Sequence, residues 1–175
     1  MRKIILGVAS FLMMSMVFVG CDIDDGSDTR DEIVGIYTAS IITNEIKTIV
    51  STSEVKTSEK KYDGKIKIEK NESSFSNFGV NLKKWKSSSS SYSSYKTGSY
   101  ISGKLTIDPL DDKGESSTTF NGVTVKESWN LKHSYTPASL DGSNLSINGT
   151  IIGTGSHNDE PYKYSATENW TLVKD

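Results

Sequence analysis

Between Tyr162 and Leu172 the even positions read Tyr162, Tyr164, Ala166, Glu168, Trp170 and Leu172, while the odd ones carry Lys, Ser, Thr, Asn and Thr. A repeat of two is that of a strand with one face in a core and the other in water. The same alternation returns along the chain. Ile33 to Ala39 opens it, Lys65-Ile66-Lys67-Ile68-Glu69 repeats it, and Tyr100 to Ile107 puts Ile101, Gly103, Leu105 and Ile107 on one side. Val123, Val125, Trp129, Leu131 and Tyr135 share the odd face of a long run, and Leu145, Ile147 and Ile151 continue the pattern. Clusters of Gly, Asn, Asp and Ser separate these runs, as turns require. Ile42, Ile46, Ile49 and Val50 are loosely helical in spacing, but the Thr, Ile and Val content of Ile41 to Lys61 favours strands, with a short helix as the alternative.

About seven to nine short strands with one polar face each predict an all-β domain, an antiparallel up-and-down meander closed as a barrel, with a β-sandwich as the alternative. Asp141-Gly142 supplies a turn between the run ending at Tyr135 and the one starting at Leu145, so these two runs are expected to pair across a connection longer than a tight hairpin.

The first twenty residues are a different object. Arg2 and Lys3 precede sixteen uncharged, mostly apolar residues, Ile4 to Val19, and all four methionines fall here. This is the pattern of a signal peptide, too short to span a bilayer comfortably as a permanent helix. The run stops at Phe18-Val19-Gly20-Cys21, and Cys21 is the only cysteine. Four residues here resemble the lipobox of bacterial lipoproteins, with Phe18 standing where Leu is usual. The resemblance implies cleavage after Gly20 and acylation of Cys21, whose acyl chains, at about 0.8 kcal/mol per buried CH₂, would make a lasting membrane anchor. It places the protein in the cell envelope, at the outer membrane or cell surface rather than the inner membrane, with the leaflet open. Residues 21–30, rich in Asp, are expected to be a solvated tether, and 31–175 a single domain.

Loss of Arg2 and Lys3 leaves 18 of the 20 basic side chains against 22 acidic ones, a net charge of -4. That balance gives nucleic-acid binding no electrostatic support. The opening Gly35-x-Tyr37 and the closing Asn169 to Lys174 resemble the first and last strands of small lipocalin-like lipoproteins. The resemblance implies a barrel sealed by its terminal strand, with a small apolar or amphipathic ligand in its mouth.

Glu127-Ser128-Trp129-Asn130-Leu131 and Glu168-Asn169-Trp170-Thr171-Leu172 share Glu-x-Trp-x-Leu, each Glu on the apolar face. An ionised carboxylate there is costly unless it is paired or wet. Either the glutamates sit at a rim, or Glu127, Trp129, Glu168 and Trp170 line one pocket, with Tyr37 as a further lining candidate. Trp85, Tyr92 and Tyr95 flank a tract of serines, expected as a mobile loop or hairpin tip over 86–99. There they would offer an adaptable contact surface, the alternative function being loop-mediated binding to envelope or host partners without any cavity. Lys83, Lys84, Lys86 and Lys96 make this the most basic surface expected. His133 and His157 are the only histidines. His133 is expected as a satisfied strand-end residue and His157-Asn158-Asp159-Glu160 as a solvated turn. No nucleophile elbow, phosphate loop or dinucleotide fingerprint occurs, so the expectation is a binding protein, not an enzyme, with no metal and no cofactor.

Overall fold

The computed structural model describes residues 28–72 and 78–175. Cys21, the signal peptide and residues 22–27 of the expected tether lie outside the described residues. Order begins earlier than the tether boundary at 30 implied. Thr29–Glu32 form a single 3-10 turn capped by Asp28, and Arg30 is buried, its guanidinium bonded to Asp28 and to the carbonyl of Gly79 (3.1 Å).

Ten strands follow: β1 (Gly35–Ile49), β2 (Val55–Lys70), β3 (Gly79–Lys86), β4 (Ser91–Ile101), β5 (Lys104–Ile107), β6 (Leu110–Phe120), β7 (Val123–Tyr135), β8 (Ala138–Asp141), β9 (Asn144–His157) and β10 (Glu160–Lys174). All pairings are antiparallel. β5 and β6 are one strand interrupted at Asp108-Pro109, and β7 and β8 one strand interrupted at Thr136-Pro137. The register carries straight across, with Leu105 opposite Ala138, Leu110 opposite His133 and Phe120 opposite Val123. Proline lacks the N–H that a ladder needs, so both breaks fall at one level. There the inward parity changes from Leu105, Ile107 and Ala138 to Asp112, His133 and Tyr135. Counted this way, eight strands run up and down in chain order. The first and last pair from Tyr37–Lys174 to Ile49–Tyr162, which closes the lipocalin-like barrel and removes the sandwich alternative.

Turn chemistry corrects three details. Ser102 (φ 51°) and Gly103 (φ 73°) form a two-residue turn that splits the expected strand Tyr100–Ile107 into a hairpin, leaving Ile101 exposed while Leu105 and Ile107 are buried. Gly142 (φ 58°) begins another, so the connection expected to be long is a tight hairpin between β8 and β9. The Ser-rich tract is a hairpin too: Ser87–Ser90 turn, and Ser91–Ile101 is strand rather than loop. Ile41 to Lys61 forms the β1–β2 hairpin, as its composition favours.

The two ends of the barrel differ. At the base, Ile33, Tyr37, Ile66, Ile68, Leu82 and Leu172 are among a continuous buried cluster, closed by the 3-10 turn through Tyr100 Oη donating to Glu32 (2.9 Å). At the mouth, β2 before Ile66 pairs only with β1, and β6 pairs only with β7. The β4–β5 ladder ends at the bond from Asp108 N to Thr97 O, and β6 then leaves β4, opening a seam in the wall.

Candidate functional site

The inward side chains change character from base to mouth. Above the apolar base lies a cavity of about 280 Å³ bounded by Glu45, Lys47, Lys60, Asp112, Trp129 and His133, with tyrosines 162 and 164 beside them. Trp129 and Tyr162 also border a hollow of about 640 Å³ at the rim.

Glycines let these rings lie flat against the wall. Gly114 is directly opposite Trp129, Gly149 opposite Tyr135 and Gly155 opposite Tyr162. A Cβ on Gly114 would stand 2.3 Å from the Trp129 ring, one on Gly149 2.6 Å from Tyr135, and one on Gly155 2.4 Å from the Tyr162 hydroxyl. The indole of Trp129 is held in this pose by its Nε1–H donating to Asp112 Oδ1 at 3.0 Å.

Glu45 is 7% exposed and lies on β1 facing the cavity. Burial works to raise its pKa, but bonds from Lys60 Nζ (2.6 Å) and Ser58 Oγ (2.9 Å), with the Tyr164 hydroxyl, outweigh it and hold the carboxyl below its ordinary value. Lys47 sits 4.8 Å from the ring centre of Tyr162. This layer is satisfied: its acceptors have donors.

The layer beneath is not. Tyr95 stacks on Trp170 (centroids 5.5 Å apart, planes at 21°) and Tyr135 meets the same indole edge-on. Lys96, 9% exposed, lies 5.3 and 5.1 Å from the ring centres of Tyr95 and Tyr135. Lys84 is 3.8 Å from the ring of Tyr62 and 5.0 Å from that of Tyr95. Burial pushes both lysines below their ordinary pKa, partly offset by the charge of Glu168. Glu168 Oε2 accepts from Tyr135 Oη (2.8 Å), and burial raises the tyrosine's pKa. Trp170 Nε1 and both ring nitrogens of His133 are buried without a hydrogen-bond partner.

These positions revise the residue expectations. Tyr37 is wholly buried in the base, its hydroxyl donating to Ile33 O (2.7 Å), and borders neither the mouth cavity nor the rim hollow. Glu127 is at the rim, its Oε1 3.2 Å from His157 Nδ1, as the rim reading expects. Glu168 lies level with Tyr135 through Gly149, eight residues along β7 from Glu127 and so roughly 26 Å away at about 3.3 Å per residue. The two glutamates therefore do not share a pocket. Trp129 lines the mouth and Trp170 lies below it. Tyr95 is not a surface contact but part of the inner aromatic stack, whereas Trp85 and Tyr92 pair across the β3–β4 hairpin. The expected basic surface is divided: Lys83 bonds Glu69, while Lys84 and Lys96 turn inward. His133 is unsatisfied rather than satisfied. His157 to Glu160 form the two-residue β9–β10 turn, with Asn158 and Asp159 at positive φ.

The inward lysines were visible as parity. Lys96 shares the face of Gly98 and Tyr100, and Lys84 that of Val80 and Leu82. The register shift beside Tyr95, which swings that ring inward, carries no sequence signal.

No protein-family model matches the chain, and no curated protein matches it. Fold and site together define a lipocalin-like barrel with a packed base and a wet, aromatic, open mouth.

Proposed function

We propose that this chain is a lipid-anchored protein of the bacterial envelope whose barrel binds a small amphipathic ligand without turning it over. The observation that supports it is the gradient inside one barrel: apolar side chains fill the base, while charged groups and flat aromatic rings border an accessible cavity above. An interior built only to be filled would not hold Glu45, Asp112 and Lys96 along its wall, because each ion costs desolvation. The charges favour an amphipathic over a purely apolar ligand. The described chain begins at the base, beside the 3-10 turn, at the end of the barrel opposite the mouth.

Native mass spectrometry tests this reading. The full chain is released from its own membranes in mild detergent and compared with the same sample after denaturing extraction. A small molecule lost on denaturation, which quenches Trp fluorescence when returned, is the expected result. A clean apo mass with no quenching by the membrane extract would overturn it. Partner capture that depends on the Trp85–Tyr92 hairpin and not on the cavity would support the loop-mediated alternative.

A further inference from the structure

The hydrogen-bond inventory of the inner layer is one-sided. Lys84 and Lys96 bring three N–H donors each, Trp170 brings one, and His133 brings at least one. Among the described residues neither ammonium has a carboxylate within 4.0 Å, and both lie against tyrosine rings instead. Glu168, the carboxylate of this layer, has one oxygen engaged by Tyr135. Asp112 is engaged by the Trp129 indole. Burial without a partner is costly for the Trp170 N–H and for the His133 ring, which offers one donor and one acceptor nitrogen, and with both ammoniums lacking a carboxylate the donors outnumber the unmet acceptors. What would satisfy them is an acceptor with several lone pairs and negative charge.

Access exists beside them. At the seam where β6 departs from β4, a cavity of about 270 Å³ is bounded by Leu82, Ser94, Tyr95, Lys96, Pro109 and Leu110. It reaches Lys96 and Tyr95 from the side, and the stack of Tyr95 on Trp170 continues inward from there.

Resting on the binding reading above, we infer that this inner layer is an anion subsite: Lys84 and Lys96, with the Trp170 and His133 N–H groups, receive the anionic oxygen headgroup of the amphipathic ligand, whose flat apolar body lies against the tyrosine rings. Charge-assisted bonds to an oxyanion are about twice as strong as neutral ones, and tyrosine faces already stabilise the two ammoniums. The subsite therefore discriminates by charge rather than by shape alone.

A matched pair of probes tests it: 2-naphthoate, a carboxylate, and 2-naphthamide, its neutral isostere. Each is titrated calorimetrically into the full chain in non-ionic detergent, with the empty-micelle titration subtracted. Naphthoate is expected to bind about tenfold more tightly than naphthamide. Lys96→Met should bring the two affinities together, and Lys96→Arg should keep most of the preference. Equal affinities on the unaltered chain would overturn the subsite while leaving the binding reading standing. Binding of neither probe at millimolar concentration would overturn both. Should Lys96→Met fail to fold, Lys84→Met carries the test, since it stands nearer solvent. A tenfold preference unchanged by Lys84→Met, and by Lys96→Met where that variant folds, would assign the selectivity elsewhere and refute the proposal.

Discussion

Gly114→Val puts the glycine–indole pairing to a quantitative test. The added Cβ would sit 2.3 Å from Trp129 Cζ2, 2.7 Å from Cε2 and 2.9 Å from Cη2, so the ring must swing away. That movement breaks the Nε1–H···Asp112 bond, a bond to a charged group worth about 1.5–3 kcal/mol. Crowding against a packed neighbour adds about 1–3 kcal/mol. Against this, a β-branched residue in a strand gains up to about 1 kcal/mol, and replacing glycine restricts the unfolded chain by about 0.4–1 kcal/mol. The losses win, and the net destabilisation is about 2 kcal/mol. The assay is urea unfolding followed by circular dichroism, with the shift of Trp emission as a local reporter. The decisive comparison is a double-mutant cycle: in a Trp129→Ala background, Gly114→Val should be neutral or stabilising, because only the propensity and entropy terms remain. Equal destabilisation in both backgrounds would refute the reasoning, since the cost would then not come from the indole.

Three further outcomes are expected. Tyr37→Phe strands the buried Ile33 carbonyl and should cost about 1–3 kcal/mol in urea unfolding while leaving probe affinity unchanged; a loss of affinity at unaltered stability would put Tyr37 back in the site. Glu45 has a folded pKa below its ordinary 4.5, so its interactions contribute stability above that value and lose it as pH falls through the folded pKa. Glu45→Gln should therefore be less stable than the unaltered chain at neutral pH and converge with it in acid; a constant gap across that range would contradict the assignment. Cys21→Ser should move the protein from the membrane to the soluble fraction and make its processing insensitive to globomycin, whereas unchanged membrane association would refute lipidation.

What could be read from the sequence tracks which face of each strand meets apolar core. β10, β9 and the base of β1 are legible because Tyr, Trp, Leu and Ile alternate there against hydroxyls and amides. β6 is not, because its inward positions are Asp112, Gly114 and Ser116, which face a wet mouth and carry no apolar repeat. Its best signal is the Asn121-Gly122 turn, both residues at positive φ, which fixes the hairpin with β7. The site was half legible for the same reason. Trp129 and Trp170 stood out by their shared pentamer, but their partners across the barrel depend on register. Lys84, Lys96 and Tyr95 looked like surface residues because lysine, serine and tyrosine usually mark one. The two lysines face inward with Val80, Leu82, Gly98 and Tyr100, whereas Tyr95 needs the β4 bulge and Tyr135 the parity change at Pro109 and Pro137 to reach the same interior.

The central claim, that the barrel takes an acceptor-bearing ligand into its inner layer, is tested most directly at the Trp170 indole. The chain has three tryptophans, so a ¹H–¹⁵N spectrum carries three indole signals, each assignable by replacement with Phe. On titration with 2-naphthoate, the Trp170 Nε1–H, buried and unpartnered, should move downfield as it gains an acceptor. It should saturate with the calorimetric Kd while Trp85 stays in place. Saturable naphthoate binding that leaves the Trp170 signal unmoved would contradict the account.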